Sequence, residues 1–483
     1  LHSTSRRQRQ MCIRDSMKTK DFLEKAIEFA QSLGMVENGA NKKKKNVVIR
    51  KNISYDVGNI PYFGFIRPEE QLSGPYSDFS LVFFPTTIDS NLYVMSLGVG
   101  SEGFRNDYQL ASQPGTRRMF LKILPQESCY SSFCKPDFTD IETAIAFGDT
   151  IVDSGVNLEK YKSVLSIGCL IDIEKKEDMD YVRAWIAQYA ELRGWASTKP
   201  QRKNVEQFIS NCRQPEKNQV QQEIEVVNLL GSRKFVILQG APGTGKTYLA
   251  EKIGKEKYNE VFLIQFHAET SYSDLVEGIM PKLGITNNVV YERKEGILVE
   301  AIKCAINNPN KKVLLIVDEI NRANLSNVLG PVFYLFEPKR QCVAGQGIRI
   351  ESLGDAPLNK IPENLHVVAT MNTADRSIAV VDFALRRRFA WYTIEPRFFG
   401  EGEGKELFDK IARLFEKHAS DSELNLQPGG SYFIADNREE LNAKIEYELM
   451  PLIKEYFDEG LLSSARTDFS DLFYQEIHKP LYK

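Results

Sequence analysis

A glycine-rich segment that ends in lysine and threonine is the part of this sequence best suited to bind a phosphate. Residues 240–247 read GAPGTGKT, fit the pattern GxxxxGKS/T, and stand between the apolar run FVILQ and the helical pattern TYLAEKIGKE. Glycines let backbone N–H groups turn toward a phosphate, and the start of the following helix adds positive potential. The segment therefore predicts a nucleoside triphosphate site formed by Gly240, Ala241, Pro242, Gly243, Thr244, Gly245, Lys246 and Thr247.

Acidic side chains follow an apolar run further along the chain. Residues 313–317 read VLLIV and are followed by Asp318 and Glu319. An uninterrupted apolar run is typical of a central parallel strand, and sheets of this kind bind ligands at the carboxyl ends of their strands. We expect Lys246 to lie between the β- and γ-phosphates, and Thr247 and Asp318 to hold Mg²⁺, the carboxylate through water. Glu319 is the predicted general base, because a carboxylate there can polarise the attacking water.

A third strand-like run and a group of arginines complete the predicted chemistry. The run LHVVATMN ends in Asn372, whose side chain can orient the attacking water against the γ-phosphate. The segment 382–389, DFALRRRF, puts three arginines at a predicted helix end. Adjacent arginines are often only a solvated patch. An arginine donated across a subunit boundary would instead neutralise charge on the transferring phosphoryl group, which would imply a ring of subunits.

The elements that must position these residues alternate along the middle of the chain. Four apolar runs, FVILQ, VFLIQF, VLLIVDE and LHVVATMN, are separated by helical patterns, which predicts an α/β fold with a parallel sheet flanked by helices. We assign residues 223–396 to this nucleotide-binding core and residues 397–483 to a helical lid. A polar stretch with two prolines, residues 197–222, is the predicted linker before the core, with a helix in it.

The segment before the linker has a different character. Residues 17–196 contain short β-rich runs dense in aromatic side chains and a helical pattern with Val182, Trp185, Ile186 and Tyr189 on one face. This combination predicts a small α+β domain. Residues 1–16 resemble translated sequencing-adaptor read-through rather than native sequence, and Met17 is the expected initiator.

The motifs together resemble the McrB subunits of modification-dependent McrBC restriction systems. The likeness is carried by DEINRANLSNVLGPVFYLFE (318–337) and MNTADRSIAVVDFALRRRF (371–389), with QFHAETSYSDLVEG, ERKEGIL and GGSYF in support. It implies an AAA+ P-loop NTPase core, GTP or ATP as the nucleotide, a hexameric ring and a separate McrC-like nuclease partner. It also implies roles for Asn372 and Asp375 in the NTAD element and for Arg387 or Arg388 as the trans-acting arginine. The sequence departs from the family at Pro331 and Gly430.

The family's N-terminal module reads modified cytosine in DNA by flipping the base into an aromatic-lined pocket. Tyr62 stands where the related module has tryptophan, Tyr76 matches its tyrosine in G-x-Y, and Tyr55 lies nearby. Lys42, Lys43, Lys44 and Lys45 could follow DNA phosphates beside such a pocket. Half-buried strand packing for the tyrosines and a solvated loop for the lysines are the alternative interpretations.

Overall composition limits the remaining functions. Lys and Arg number 62 against 65 for Asp and Glu, a net charge of −3, so DNA binding would need a local basic patch. Sparse cysteines and the lack of a long apolar run predict a cytoplasmic protein without a membrane span. No convincing nuclease motif is found, because the best group, residues 172–176, lacks an upstream Pro-Asp partner. The alternative function is a MoxR-type AAA+ ATPase that remodels protein complexes, since the two classes share the phosphate-binding machinery.

Overall fold

The computed structural model describes residues 18–37, 46–52, 60–87, 90–125, 132–213, 219–283, 289–337, 347–354, 357–374, 383–399 and 402–482. The chain divides into two compact units, residues 1–215 with 416–420 and residues 216–415 with 421–483. This division falls inside the predicted linker. Within the described ranges, no helix is both long and apolar enough to cross a membrane.

The first unit is built on a six-stranded sheet in the order β1-β2-β3-β4-β6-β5, with every neighbouring pair antiparallel. Its strands are β1 Val48–Asn52, β2 Tyr62–Ile66, β3 Phe79–Pro85, β4 Leu92–Val99, β5 Ser132–Cys134 and β6 Leu165–Asp172. Its helices are α1 (18–32), α2 Tyr108–Ala111, α3 Pro114–Leu121, α4 Asp149–Asp153, α5 Lys176–Leu192 and α6 Lys199–Cys212. The first unit therefore has the predicted α+β fold.

Aromatic side chains pack the first unit together. Phe22 of α1 makes edge contacts with Phe63 and Tyr93 of the sheet, at centroid distances of 5.3 and 4.9 Å. The four apolar positions predicted on one face of α5 are all buried. Tyr189 also donates its hydroxyl hydrogen bond to strand carbonyls, at 2.9 Å from the oxygen of Phe79. Most aromatics of this unit thus build the core.

Helix α6 lies within the segment predicted as linker but packs on the first unit. Thr198 and Gln201 form a capping box at its start, which satisfies backbone donors that a helix leaves unpaired. Val205 is buried in the core of the unit, and Phe208 makes an edge contact with Phe29 of α1. Its sparse apolar residues fall on one face, so a mostly polar sequence still forms a docked helix.

The second unit contains a five-stranded parallel sheet in the order β13-β7-β12-β11-β8. Four strands match the predicted runs, and the fifth is a short strand after the arginines. They are β7 Phe235–Gly240, β8 Glu260–Gln265, β11 Val313–Asp318, β12 Leu365–Asn372 and β13 Ala390–Thr393. The central strand β11 is buried over its apolar residues, as expected for a strand covered on both faces.

Helices surround this sheet, and a two-stranded antiparallel hairpin is inserted after β8. These elements are α7 Gln219–Arg233, α8 Lys246–Lys257, α9 Tyr272–Leu275, β9 Glu277–Leu283, β10 Val289–Glu295, α10 Ile297–Asn307, α11 Leu325–Val328 and α12 Phe383–Arg388. The lid contains α13 Glu403–His418, α14 Arg438–Lys444, a π-helical turn Ile445–Leu449, α15 Met450–Asp458 and α16 Arg466–Ile477. The predicted helical lid pattern agrees with these elements.

Strand register brings the predicted polar residues to one edge. Asn372 at the end of β12 is paired with Gly240 at the end of β7. Asp318 ends β11, the strand on the other side of β12. Because the strands are parallel, their carboxyl ends meet, and three separate sequence motifs converge there.

Candidate nucleotide site

The phosphate-binding loop connects β7 to α8 through two glycines in the left-handed region. Gly243 has φ 75° and Gly245 has φ 84°, and Gly245 is the residue immediately before helix α8. L-residues with a side chain rarely adopt these angles, so the glycines make the tight turn possible. The turn aims the first N–H groups of α8 at the loop, the arrangement that binds phosphates at helix N-termini.

Lys246 lies at the centre of the site and is almost completely buried, with 6% of its surface exposed. Its ammonium donates hydrogen bonds to the carbonyl oxygens of Gly240 and Ala241, at 3.1 and 2.8 Å, and to Oδ1 of Asn372 at 2.6 Å. Burial lowers the pKa of Lys246 to about 8, although Glu319 and Asp318 oppose that shift. The charge is thus held in place by oxygen acceptors that a triphosphate can replace.

Thr247 and Asp318 meet as the sequence predicts. The Thr247 hydroxyl donates to Oδ1 of Asp318 at 2.7 Å, and Thr370 donates to the same oxygen at 2.5 Å. A hydroxyl and a carboxylate in contact are the hard oxygen ligands that suit Mg²⁺ when phosphates and water complete the shell. Among the described residues, no group of three or more His, Cys, Asp or Glu could hold a metal alone. The pair therefore fits a metal bound together with a nucleotide.

Glu319 adopts a backbone conformation that is uncommon for a residue with a side chain. Its φ is 53°, in the left-handed region, and its N–H donates to Oγ1 of Thr370 at 3.0 Å. Such conformations cost about 1–3 kcal/mol and occur often at functional sites. The turn directs the carboxylate to Nδ2 of Asn372, which donates to Oε1 at 2.5 Å, while Arg322 forms an ion pair at 3.5 Å.

Asn372 connects the predicted base to the phosphate-binding lysine. Its amide oxygen accepts from Lys246 and its amide nitrogen donates to Glu319. The carbonyl oxygen of Asn372 also accepts from the buried Asn321 at 3.4 Å. In this arrangement one amide holds both the lysine and the base. A nucleotide that displaces Lys246 from Asn372 would therefore also change the surroundings of Glu319.

The two candidate arginines have different surroundings. Arg387 and Arg388 both form ion pairs with Oε1 of Glu337, at 2.5 and 2.8 Å. The Arg388 side chain is only 12% exposed and lies over the ring of Phe333 at 5.2 Å. The Arg387 side chain is 71% exposed. Arg387 is thus the more exposed of the two, whereas Arg388 has the contacts of a packing residue.

The lid contacts the phosphate loop through the GGSYF segment. The N–H of Gly429 donates to the carbonyl of Pro242 at 2.9 Å, and that of Ser431 donates to Gly243 at 3.2 Å. A Cβ on Gly430, one of the departures from the family pattern, would lie 2.1 Å from the carbonyl oxygen of Arg397. Glycine is therefore required at this position by the close approach of two backbone segments.

Sequence reasoning missed several residues of the site. Thr370 donates to the Asp318 carboxylate and accepts from the backbone N–H of Glu319, Asn321 supports Asn372, and Arg322 pairs with the predicted base. Thr370 stands two residues before Asn372 on β12, so strand alternation places both side chains on one face. That spacing could have identified it. Asp375 lies outside the described residues.

Two of the predicted DNA-reading residues are described: Tyr62 begins strand β2, and Tyr76 lies before strand β3. Tyr62 and Tyr76 are half-buried. The Tyr76 ring lies 4.8 Å from the guanidinium carbon of Arg50, and its hydroxyl is 3.0 Å from Oγ of Ser80. Burial raises the pKa of Tyr76 to about 12. The ring centroids of Tyr62 and Phe84 are 6.2 Å apart. Tyr55 and Lys42–Lys45 lie outside the described residues.

Comparisons with known proteins agree with this geometry. Residues 235–389 match the AAA domain family of the dynein-related subfamily. The chain is 34% identical over 260 residues to the type IV methyl-directed restriction enzyme EcoKMcrB subunit of Escherichia coli strain K12, covering 48% of this chain and 56% of that protein. It is 26% identical over 199 residues to the type II restriction enzyme BsuMI component YdiS of Bacillus subtilis strain 168, covering 33% of this chain and 56% of that protein.

One solved structure, a mutant of RuvB from Thermotoga maritima, is 18% identical and covers 43% of this chain and 55% of that chain. Its TM-score of 0.23 is too low to carry an argument. The chain spans about half the length of the curated relatives it matches.

The parallel sheet, the phosphate loop and the family match define an α/β protein with an AAA+ fold. Over 260 residues the chain is similar to an McrB subunit, the kind of protein that its motifs resemble.

Proposed function

We propose that this chain is a nucleotide-hydrolysing AAA+ motor subunit of a restriction system. The observation that carries the proposal is the hydrogen-bonded chain from Lys246 through Asn372 to Glu319, next to the Thr247–Asp318 pair. It contains a phosphate counter-charge, a base and hard oxygen ligands at one sheet edge. Both curated relatives named above are restriction-system components, which supports this function over a MoxR-type remodeller.

The residues act on a bound GTP or ATP in a defined order. The loop N–H groups and Lys246 bind the β- and γ-phosphates. Thr247 and Asp318 would hold Mg²⁺, which would neutralise charge on the phosphates. Displacement of Lys246 toward the phosphates releases its bond to Asn372. Asn372 and Glu319 then orient and polarise the attacking water, with Glu319 accepting its proton.

The complete function includes partners that this chain does not supply by itself. We propose a ring of identical subunits, hexameric by family likeness, in which the exposed Arg387 acts on the neighbour's nucleotide. We also propose that the first unit recognises modified DNA and that a separate McrC-like nuclease cuts it.

Restriction in cells tests the whole proposal. Cells that express the chain with a neighbouring McrC-like nuclease gene should take up cytosine-methylated plasmid less efficiently than unmodified plasmid. Replacement of Thr247 by Ala should remove that difference, because the proposed Mg²⁺ site loses its hydroxyl ligand. The exposed Ser232 of α7 provides the matched control, since Ser232→Ala also removes one hydroxyl and should restrict normally. Equal uptake of both plasmids by cells with the unaltered pair would contradict the restriction function.

A further inference from the structure

The nucleotide cavity is lined by residues of two chemical kinds, the polar phosphate site and a group of apolar side chains. Its volume is about 520 Å³. Its lining includes the phosphate loop, Glu319 and Asn372. It also includes Gln222 and three apolar residues, Ile394, Phe399 and Ile434. Ile434 is 47% exposed although it faces this cavity. Apolar walls beside a phosphate site are suited to the flat face of a base.

Gln222 lies on the face of helix α7 that is otherwise formed by buried apolar residues. Gln222, Val226 and Leu230 follow each other at intervals of four on α7, and their exposures are 3%, 0% and 0%. The last two belong to the core beside the sheet. Four-residue spacing puts the three side chains on one helix face. On this face of α7, the position that lines the cavity is therefore occupied by the amide side chain of Gln222 rather than by an apolar side chain.

The burial of this amide calls for a partner. Gln222 is 3% exposed, and it is one of the residues that line the nucleotide cavity. A buried amide without a partner costs free energy, and almost all such groups in folded proteins are bonded. Since Gln222 lines the cavity, a ligand bound there can provide a donor and an acceptor for its amide.

We propose that Gln222 reads the base of the nucleotide and is a specificity-determining residue of the site; this inference rests on the proposed nucleotide function. A glutamine amide offers one acceptor and donors side by side. It can pair with N6–H and N1 of adenine, or, turned over, with O6 and N1–H of guanine. The base then lies against Phe399, Ile394 and Ile434, and the triphosphate lies in the loop.

Two substitutions at this position separate base reading from general packing. Gln222→Leu keeps the size of the side chain and removes the hydrogen bonds, so affinity for non-hydrolysable GTP and ATP should fall about tenfold for the preferred nucleotide. Affinity for inorganic tripolyphosphate, which has no base, should stay unchanged. Gln221→Leu, an identical change at the exposed neighbouring position, is the control and should bind as the unaltered chain does.

Gln222→Glu gives a more specific readout. A carboxylate only accepts, so it suits N1–H and N2–H of guanine and faces the lone pair of adenine N1. The ratio of GTP to ATP affinity should therefore rise about tenfold or more over that of the unaltered chain. Calorimetric titration of the full chain measures all these affinities, and thermal unfolding reports whether each variant folds.

The outcomes distinguish this inference from the function on which it rests. If the unaltered chain binds neither nucleotide, the proposed nucleotide function is wrong. If it binds them, but Gln222→Leu keeps full affinity and Gln222→Glu keeps the ratio, only the base-reading role is overturned. Loss of tripolyphosphate binding in folded Gln222→Leu would also overturn it, because the residue would then act on the phosphate loop.

Discussion

The polar residues of the two units are used in opposite ways. In the second unit, Lys246, Asp318 and Glu319 face a cavity or its immediate border and bond to side chains that a nucleotide and Mg²⁺ could replace. In the first unit, the buried Asp78 accepts from the backbone N–H groups of residues 105–107 and from Arg67. Its bonds fix a loop. Buried charge thus indicates chemistry only where its partners are exchangeable.

Aromatic residues also differ between the two units in what they contact. The first unit is rich in them, yet most pack against one another, and even Tyr76 lies against Arg50 with its hydroxyl near Ser80. In the second unit, Tyr248 and Phe399 line the nucleotide cavity. If this difference is correct, substitutions in the second unit should impair ligand binding or hydrolysis, and many in the first unit should impair only packing.

The largest effect is expected for Lys246→Ala. The site would lose its main counter-charge to the phosphates and keep two carboxylates, so nucleotide binding should fall below detection. Fluorescent GTP and ATP analogues measure this loss. Lys255→Ala changes an exposed lysine of the same helix and is the control. Retained binding by folded Lys246→Ala would show that the lysine is structural, like the buried charges of the first unit.

Arg387→Ala should have the next largest effect. A trans-acting arginine contributes about 10³-fold or more to hydrolysis, so turnover should fall by that order while nucleotide affinity is kept. In mixtures with unaltered chain, activity should fall faster than the fraction of variant subunits. Arg388→Ala should instead lower the melting temperature, because Arg388 packs on Phe333 and pairs with Glu337. A linear loss of activity in the Arg387 mixtures would place that residue outside any shared site.

Much of the second unit could be predicted from sequence because its signals are local. An apolar run with a polar end and a glycine-rich turn specify a strand, a loop and a helix without knowledge of the rest. Thr370, Asn321 and Gln222 were missed because their roles arise only when separate elements meet. Likewise α6 reads as a linker, since its few buried residues are recognisable only against α1 and the core they contact.

A moderate effect is expected at the proposed DNA-reading tyrosines. If Tyr62 and Tyr76 stack on a flipped base, each Ala substitution should weaken binding to modified DNA roughly 5- to 150-fold, from about 1–3 kcal/mol per stacked base. Binding to unmodified duplex should change little. Fluorescence anisotropy with both duplexes measures the ratio, and thermal unfolding reports packing losses. An unchanged ratio in folded Tyr62→Ala would assign that tyrosine to packing alone.

The smallest effect concerns pH. Only the charged form of Lys246 binds phosphate strongly, and its pKa in the free site is about 8. Affinity should be nearly constant below pH 7 and fall as pH rises through 8, by about tenfold between pH 7 and pH 9. Lys246→Arg stays charged over this range and should give a flat profile. A flat profile for the unaltered chain would mean that the lysine is not desolvated.

The assignment of Glu319 as the general base is tested by comparing nucleotide binding with nucleotide hydrolysis in one variant. Glu319→Gln keeps the oxygen that accepts from Asn372 but removes the base. Phosphate release from GTP and ATP should fall by about 10²-fold or more, while affinity for both nucleotides remains. Glu300→Gln, an exposed change on α10, should hydrolyse normally. Turnover by Glu319→Gln at the rate of the unaltered chain would contradict the assignment of the base and of the site built around it.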